Sequence, residues 1–170
     1  MPSANSLHSD LLLAKELVYD ACGLAFKNVE VHTESSEYAA CTFNLNEYKI
    51  EHRFSKITPT KIGQFVTIWK RNEEGITTAF DLSDGIDFII ITARNGNNFG
   101  QFIFPVATLA DRGIVSKDGK SGKRGIRVYP PWDVTSSKQA LATQKWQSEF
   151  FLPIQNTNST DLMLKLLANK

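Results

Sequence analysis

Cysteine is scarce in this chain, with only Cys22 and Cys41 among 170 residues. They show no CxxC spacing and nothing suggests a disulfide scaffold, so two reduced thiols in a cytoplasmic protein are the expected state. Histidine is equally thin: His8, His32 and His52 are scattered and form no H-E-x-x-H pattern, which argues against a structural zinc site. No long apolar run occurs. Phe88–Ile91 is far too short to cross a bilayer, and the opening MPSANSLHSD lacks the basic-then-apolar order of a secretory signal. No membrane partner is expected. There is no G-x-S-x-G elbow, and Gly119-Lys120-Ser121 lacks the upstream glycine and leading strand of a phosphate loop. A net charge of +1 leaves only the distribution of charge to inform on partners.

What is present is a chain that is 42% hydrophobic, enough for one sizeable core. We expect a single domain over residues 1–153 and an extension, 154–170, carrying a short helix. The chain centres on Phe54–Arg71. A surface turn with Lys56, Pro59 and Lys61 enters a strand in which Phe65, Thr67 and Trp69 alternate with Gln64, Val66, Ile68 and Lys70.

Around that stretch the pattern predicts a helix over Ser9–Cys22, capped by Ser9 or Asp10 and stopped at Gly23. Ala39–Leu45 and Glu47–Phe54 predict an antiparallel pair. Ile86–Arg94 and Phe99–Phe104 predict two further strands, separated by a polar turn. Pro105 opens a short helix that Gly113 ends. Arg112–Arg127 carries six basic residues, one acid and four glycines, the composition of a basic loop. Ile126–Tyr129 is a strand, and Ser136 with Gln139 has capping-box spacing for a helix whose Ala142, Trp146 and Phe150 cover the sheet. Gln155–Ser159 is a polar linker, and Thr160–Ala168 is a frayed or loosely docked helix. The sum is α+β: a central mixed β-sheet flanked by an N-terminal and a C-terminal helix.

The chemical signal is a basic and aromatic set. Lys56, Lys61, Lys70, Arg94, Lys123, Arg124 and Arg127 are candidates for phosphate contacts, and Gln64, Gln101 and Trp132 for base or sugar contacts. Solvated loops are also commonly basic, and Gln64 and Gln101 could equally satisfy strand-end backbone groups. Asp87, at the head of the apolar strand, is raw material for a metal-dependent phosphodiesterase, with Gln101, or Glu37, Glu47 and Lys49, as partners.

Four ordered segments carry a resemblance: KITPTKIGQFVTIWKR (Lys56–Arg71), DFIIITAR (Asp87–Arg94), FGQFIFP (Phe99–Pro105) and KRGIRVYPPWD (Lys123–Asp133). Together they resemble the MepB family of bacterial proteins, and Ser136–Phe151 is similar to that family's C-terminal helix. The likeness covers about Leu11–Phe151. It implies a core similar to the PD-(D/E)xK restriction endonucleases, and that fold implies nucleic-acid binding. Gln101-Phe102-Ile103 stands where an active nuclease would carry an acid and a lysine, so the resemblance implies a degenerate catalytic site.

The expectation is therefore a nucleic-acid-binding protein, with DNA or RNA as partner, no cleavage and no cofactor. One alternative is a Mg²⁺-dependent nuclease built on the acids above. Another is a small-molecule sensor or interaction module lined by Trp69, Tyr129 and Trp132.

Overall fold

The computed structural model describes residues 7–154 and 159–170. Its backbone is a six-stranded mixed sheet. The strands are β1 (Phe26–Val31), β2 (Cys41–Leu45) and β3 (Tyr48–Phe54), then β8 (Phe88–Asn95), β9 (Asn98–Pro105) and β11 (Phe151–Pro153), in that spatial order. All neighbours are antiparallel except β3 and β8, which run parallel from Ile50 opposite Phe88 to Phe54 opposite Thr92. β8 is apolar along nearly its whole length because both faces of the sheet are covered, the condition that removes polar alternation from a strand. Two-residue turns join β2 to β3 and β8 to β9. Asn46 and Gly96 supply the positive φ that such hairpins need.

One face holds α1 (Ser9–Ala14), the π turn Lys15–Tyr19 and α4 (Ser159–Leu167). Leu11, Val18 and Tyr19 pack there with Phe43, Ile50, Ile90 and Ile103 of the sheet. The helix predicted over Ser9–Cys22 thus changes pitch midway, and its N-terminal cap is neither Ser9 nor Asp10. His8 Nδ1 accepts the Asp10 N–H at 3.0 Å. The last helix is docked, not frayed: Met163, Leu166 and Leu167 are buried in this same cluster. Of the predicted linker, residues 155–158 lie outside the described residues.

The other face carries α2 (Val106–Asp111), α3 (Lys138–Ser148) and two small sheets. One is β10 (Gly125–Val128) with β5 (Gln64–Thr67) and β4 (Lys56–Ile57); the other is β6 (Trp69–Arg71) with β7 (Thr77–Ala79). The single strand predicted from Gln64 to Lys70 is therefore two, β5 and β6. At Ile68 the chain leaves β10, its N–H donating to Arg124 O at 2.9 Å, and β6 then pairs with β7. In α3 the predicted cover is right for Trp146 and Phe150, whose rings meet Phe104 at 5.5 and 6.0 Å. Ala142 faces water instead. Ser137, not Ser136, caps this helix, accepting from Ala140 N–H at 3.1 Å.

Candidate functional sites

Two clefts bring polar side chains together, and their linings share no residue. The larger lies over β1, β2 and β3, with a volume of about 540 Å³. Strand alternation sends Lys49, Glu51 and Arg53 to its floor, while Ile50 and His52 point into the opposite core. Register then places Thr42 beside Glu51 and Glu30 beside Thr42.

Arg53 is almost wholly enclosed. Its Nη1 donates to Glu51 Oε1 at 2.7 Å and to His52 O at 2.9 Å, while Nε has no partner among the described residues. His32 Nε2 lies 3.3 Å from the same Glu51 oxygen, and that hydrogen bond raises the His32 pKa above its usual value. Trp69 and Phe80 form an apolar wall. Lys70–Asp84, at 2.5 Å, and Arg71–Glu34 cross the rim as ion pairs.

The second cleft, of about 450 Å³, lies between β10 and α3. Its charged lining is Arg112, Lys123 and Arg127, with no carboxylate among them. Arg112 sits 4.8 Å from the Trp146 ring centre, a cation–π contact that leaves its charge unneutralised. Arg127 Nη1 donates to Thr58 Oγ1 at 3.0 Å and to Ile62 O at 3.2 Å, both neutral acceptors. Gln147 ties the cleft together: its Oε1 accepts Tyr129 N–H at 2.8 Å and its Nε2 donates to Arg127 O at 3.1 Å.

The predicted contact residues therefore do not converge in one groove. Lys123 and Arg127 line the β10–α3 cleft, and Lys70 lines the other, where the nuclease candidate Lys49 also lies. Lys56 is paired with Glu37 at 3.3 Å, and Arg94 grips Asp10 through Nε and Nη2 at 2.7 and 2.8 Å. Lys61 stands exposed on its turn, and Arg124 reaches Thr77 Oγ1 at 3.4 Å. Trp132 packs edge-on against Phe151 in a third, mainly apolar groove.

Gln64 and Gln101 are interior residues, and the expectation that they face a ligand is corrected. Gln64 accepts from Ser55 Oγ at 2.6 Å. Gln101 Oε1 accepts from Tyr19 Oη at 2.7 Å, and its Nε2 donates to Thr92 Oγ1 at 2.9 Å. Thr92 Oγ1 also meets His52 Nε2 at 2.8 Å, and burial drives the His52 pKa down to about 3.

The acids expected to serve a nuclease are also dispersed. Asp87 accepts Lys49 N–H at 2.8 Å and pairs with Lys170 at 2.6 Å, and it lines neither cleft. Gln101 projects from the other face of β9, and Glu47 is an exposed turn residue loosely paired with Lys27. His32, Glu51, Arg53, Arg112 and Trp146 are the site residues that sequence reasoning missed. The available signal was three charged side chains alternating on a strand whose neighbours are strongly apolar, a pattern that requires partners inside.

Comparison with known proteins adds a family model described as MepB-like, which matches residues 32–153. A solved structure, the crystal structure of MepB, superposes with a TM-score of 0.75 at 31% identity, covering 89% of this chain and 100% of that one. No curated protein matches the chain.

Proposed function

The chain belongs to the MepB-like family, and from that starting point we propose that it binds nucleic acid through the cleft between β10 and α3. The observation that carries this reading is the absence of neutralisation. Among the described residues, Arg112, Lys123 and Arg127 have no carboxylate partner, whereas Lys56, Lys70 and Arg94 are each paired with an acid. Unpaired cations concentrated at one concave surface attract a phosphate chain and release its counterions. Tyr129 beside them offers a ring to an unstacked base, while Trp146, packed on Phe104, holds Arg112 at the cleft.

The core is nuclease-like in this reading. Three antiparallel strands are followed by β8, parallel to β3, and Glu51-His52-Arg53 on β3 has the acid-x-cation order of the motif. The residues present do not suit Mg²⁺, however. One of the two Glu51 oxygens, Oε1, is bonded to Arg53 and faces His32, and the strand neighbour of Glu51 is Thr42 in place of a second acid. No cleavage step is derived.

Fluorescence anisotropy with labelled single- and double-stranded DNA and RNA, across a salt series, tests the proposal. Affinity should fall steeply with salt. Each of Arg112→Ala, Lys123→Ala and Arg127→Ala should flatten the log–log slope by about one. No binding at low salt, or a slope unchanged in the triple variant, sinks the reading. Mg²⁺-dependent nicking of a plasmid, lost in Glu51→Gln, would replace it with the nuclease.

A further inference from the structure

The cleft over β1, β2 and β3 has the opposite electrostatic design from the β10–α3 cleft, and we propose that it binds a small amphoteric ligand: a free α-amino acid with an apolar side chain. This goes beyond the nucleic-acid reading and does not depend on it.

The two rim pairs, Lys70–Asp84 and Arg71–Glu34, are internally neutral. They leave Lys49 and Arg53 on the floor against Glu51 and Glu30, two cations against two carboxylates. A phosphate chain would meet both carboxylates there, so the floor does not favour a polyanion. It matches a ligand that carries one charge of each sign.

The atoms are arranged for that. Glu51 Oε1 is occupied by Arg53 and His32, while Oε2 has no hydrogen-bond partner among the described residues. A carboxylate oxygen of a cleft-lining residue, neither sealed from solvent nor held by a protein partner, is an acceptor open to an ammonium group. Lys49, two positions back on the same strand face, has no side-chain partner among the described residues and stands about 7 Å from Glu51 along the chain. Its flexible stem lets Nζ swing toward a carboxylate held beside that ammonium. Arg53, with Nε enclosed and unpaired, is a second donor-rich group on the same floor. Trp69 and Phe80 supply the wall for an aromatic or aliphatic side chain. A volume of about 540 Å³ accepts such a molecule.

Calorimetric titration of the full chain with L-phenylalanine, L-tryptophan and L-leucine tests this, alongside N-acetyl-L-phenylalanine, L-phenylalaninamide and adenosine 5′-monophosphate. The free amino acids should bind. Removing either charge from the ligand should weaken binding about tenfold or more, the loss of one charge-assisted contact. Glu51→Gln should weaken the free acid in the same measure while making N-acetylation almost harmless. Lys49→Ala, an exposed substitution that spares the fold, should do so for the carboxylate. The variant lacking Lys123 and Arg127 should bind amino acids as the wild type does, which separates this outcome from the fate of the nucleic-acid cleft. The proposal is overturned by folded protein that takes up none of the three amino acids, by N-acetylated ligand binding as tightly as free, or by the nucleotide displacing a bound amino acid from this cleft.

Discussion

Arg53 Nη1 donates to Glu51 Oε1 across 2.7 Å in the interior, with only 2% and 4% of the two residues exposed. Removing one member strands the other as a buried charge, so Arg53→Ala should cost about 3–5 kcal/mol. Replacing both, as in Glu51→Leu with Arg53→Met, should recover most of that loss. Urea midpoints of the two single variants and the double variant check this. Single variants within 1 kcal/mol of wild type, on the scale of surface pairs, would refute the buried pair.

Two histidines give stability opposite pH dependences. His52 is held near pKa 3 by burial, well below its unfolded value of about 6.5, so the unfolded chain binds the extra proton between those limits. Stability should drop steadily as pH falls from 6.5 toward 3, and His52→Gln should lessen that drop. His32, raised by its hydrogen bond to Glu51, contributes below pH 6.5 and loses the contribution as pH climbs through its folded value. The histidine ring protons should separate the two by NMR. A His52 signal that titrates near 6.5 in the folded protein would contradict the buried neutral ring.

Gln101 tests interior against surface roles. Its amide joins Tyr19 to Thr92, so Gln101→Ala leaves the Tyr19 hydroxyl without its acceptor. The stranded group alone should cost about 1–3 kcal/mol. Nucleic-acid affinity should stay unchanged once folding is corrected for. A selective affinity loss with full stability would restore Gln101 as a contact residue.

Gly100 is where β9 admits β11. A methyl group there would collide with the Phe151 ring and lie 2.6 Å from Leu152 O. Gly100→Ala should therefore loosen β11, read as faster amide exchange over residues 151–154 and a lowered melting temperature. Unaltered exchange in that segment would refute the close approach.

The elements with strong periodicity were legible before the fold. β2, β3, β8 and β9 follow alternation or unbroken apolarity, and Pro105 and Gly113 bracket α2 as their backbone preferences require. β1 was missed because Phe26–Val31 carries a bulge between Lys27 and Glu30, which breaks its alternation. The break at Ile68 was invisible for the opposite reason: its side chain fits a strand, and its N–H still bonds Arg124 O before the chain goes on to pair with β7. In the clefts, Lys123 and Arg127 were legible from local basic density. Arg112 belongs to the same basic loop, but nothing local marks it, because its neighbour Trp146 lies on a distant helix. Glu51 and Arg53 were visible as letters, yet their burial follows from β8 pairing beside them, a long-range fact.

The docking of α4 has a practical corollary for anyone trimming the chain. Met163, Leu166 and Leu167 roof the cluster that includes Val18 and Leu152. A version cut at residue 153, where the family match stops, would bare that greasy underside and tend to clump in solution.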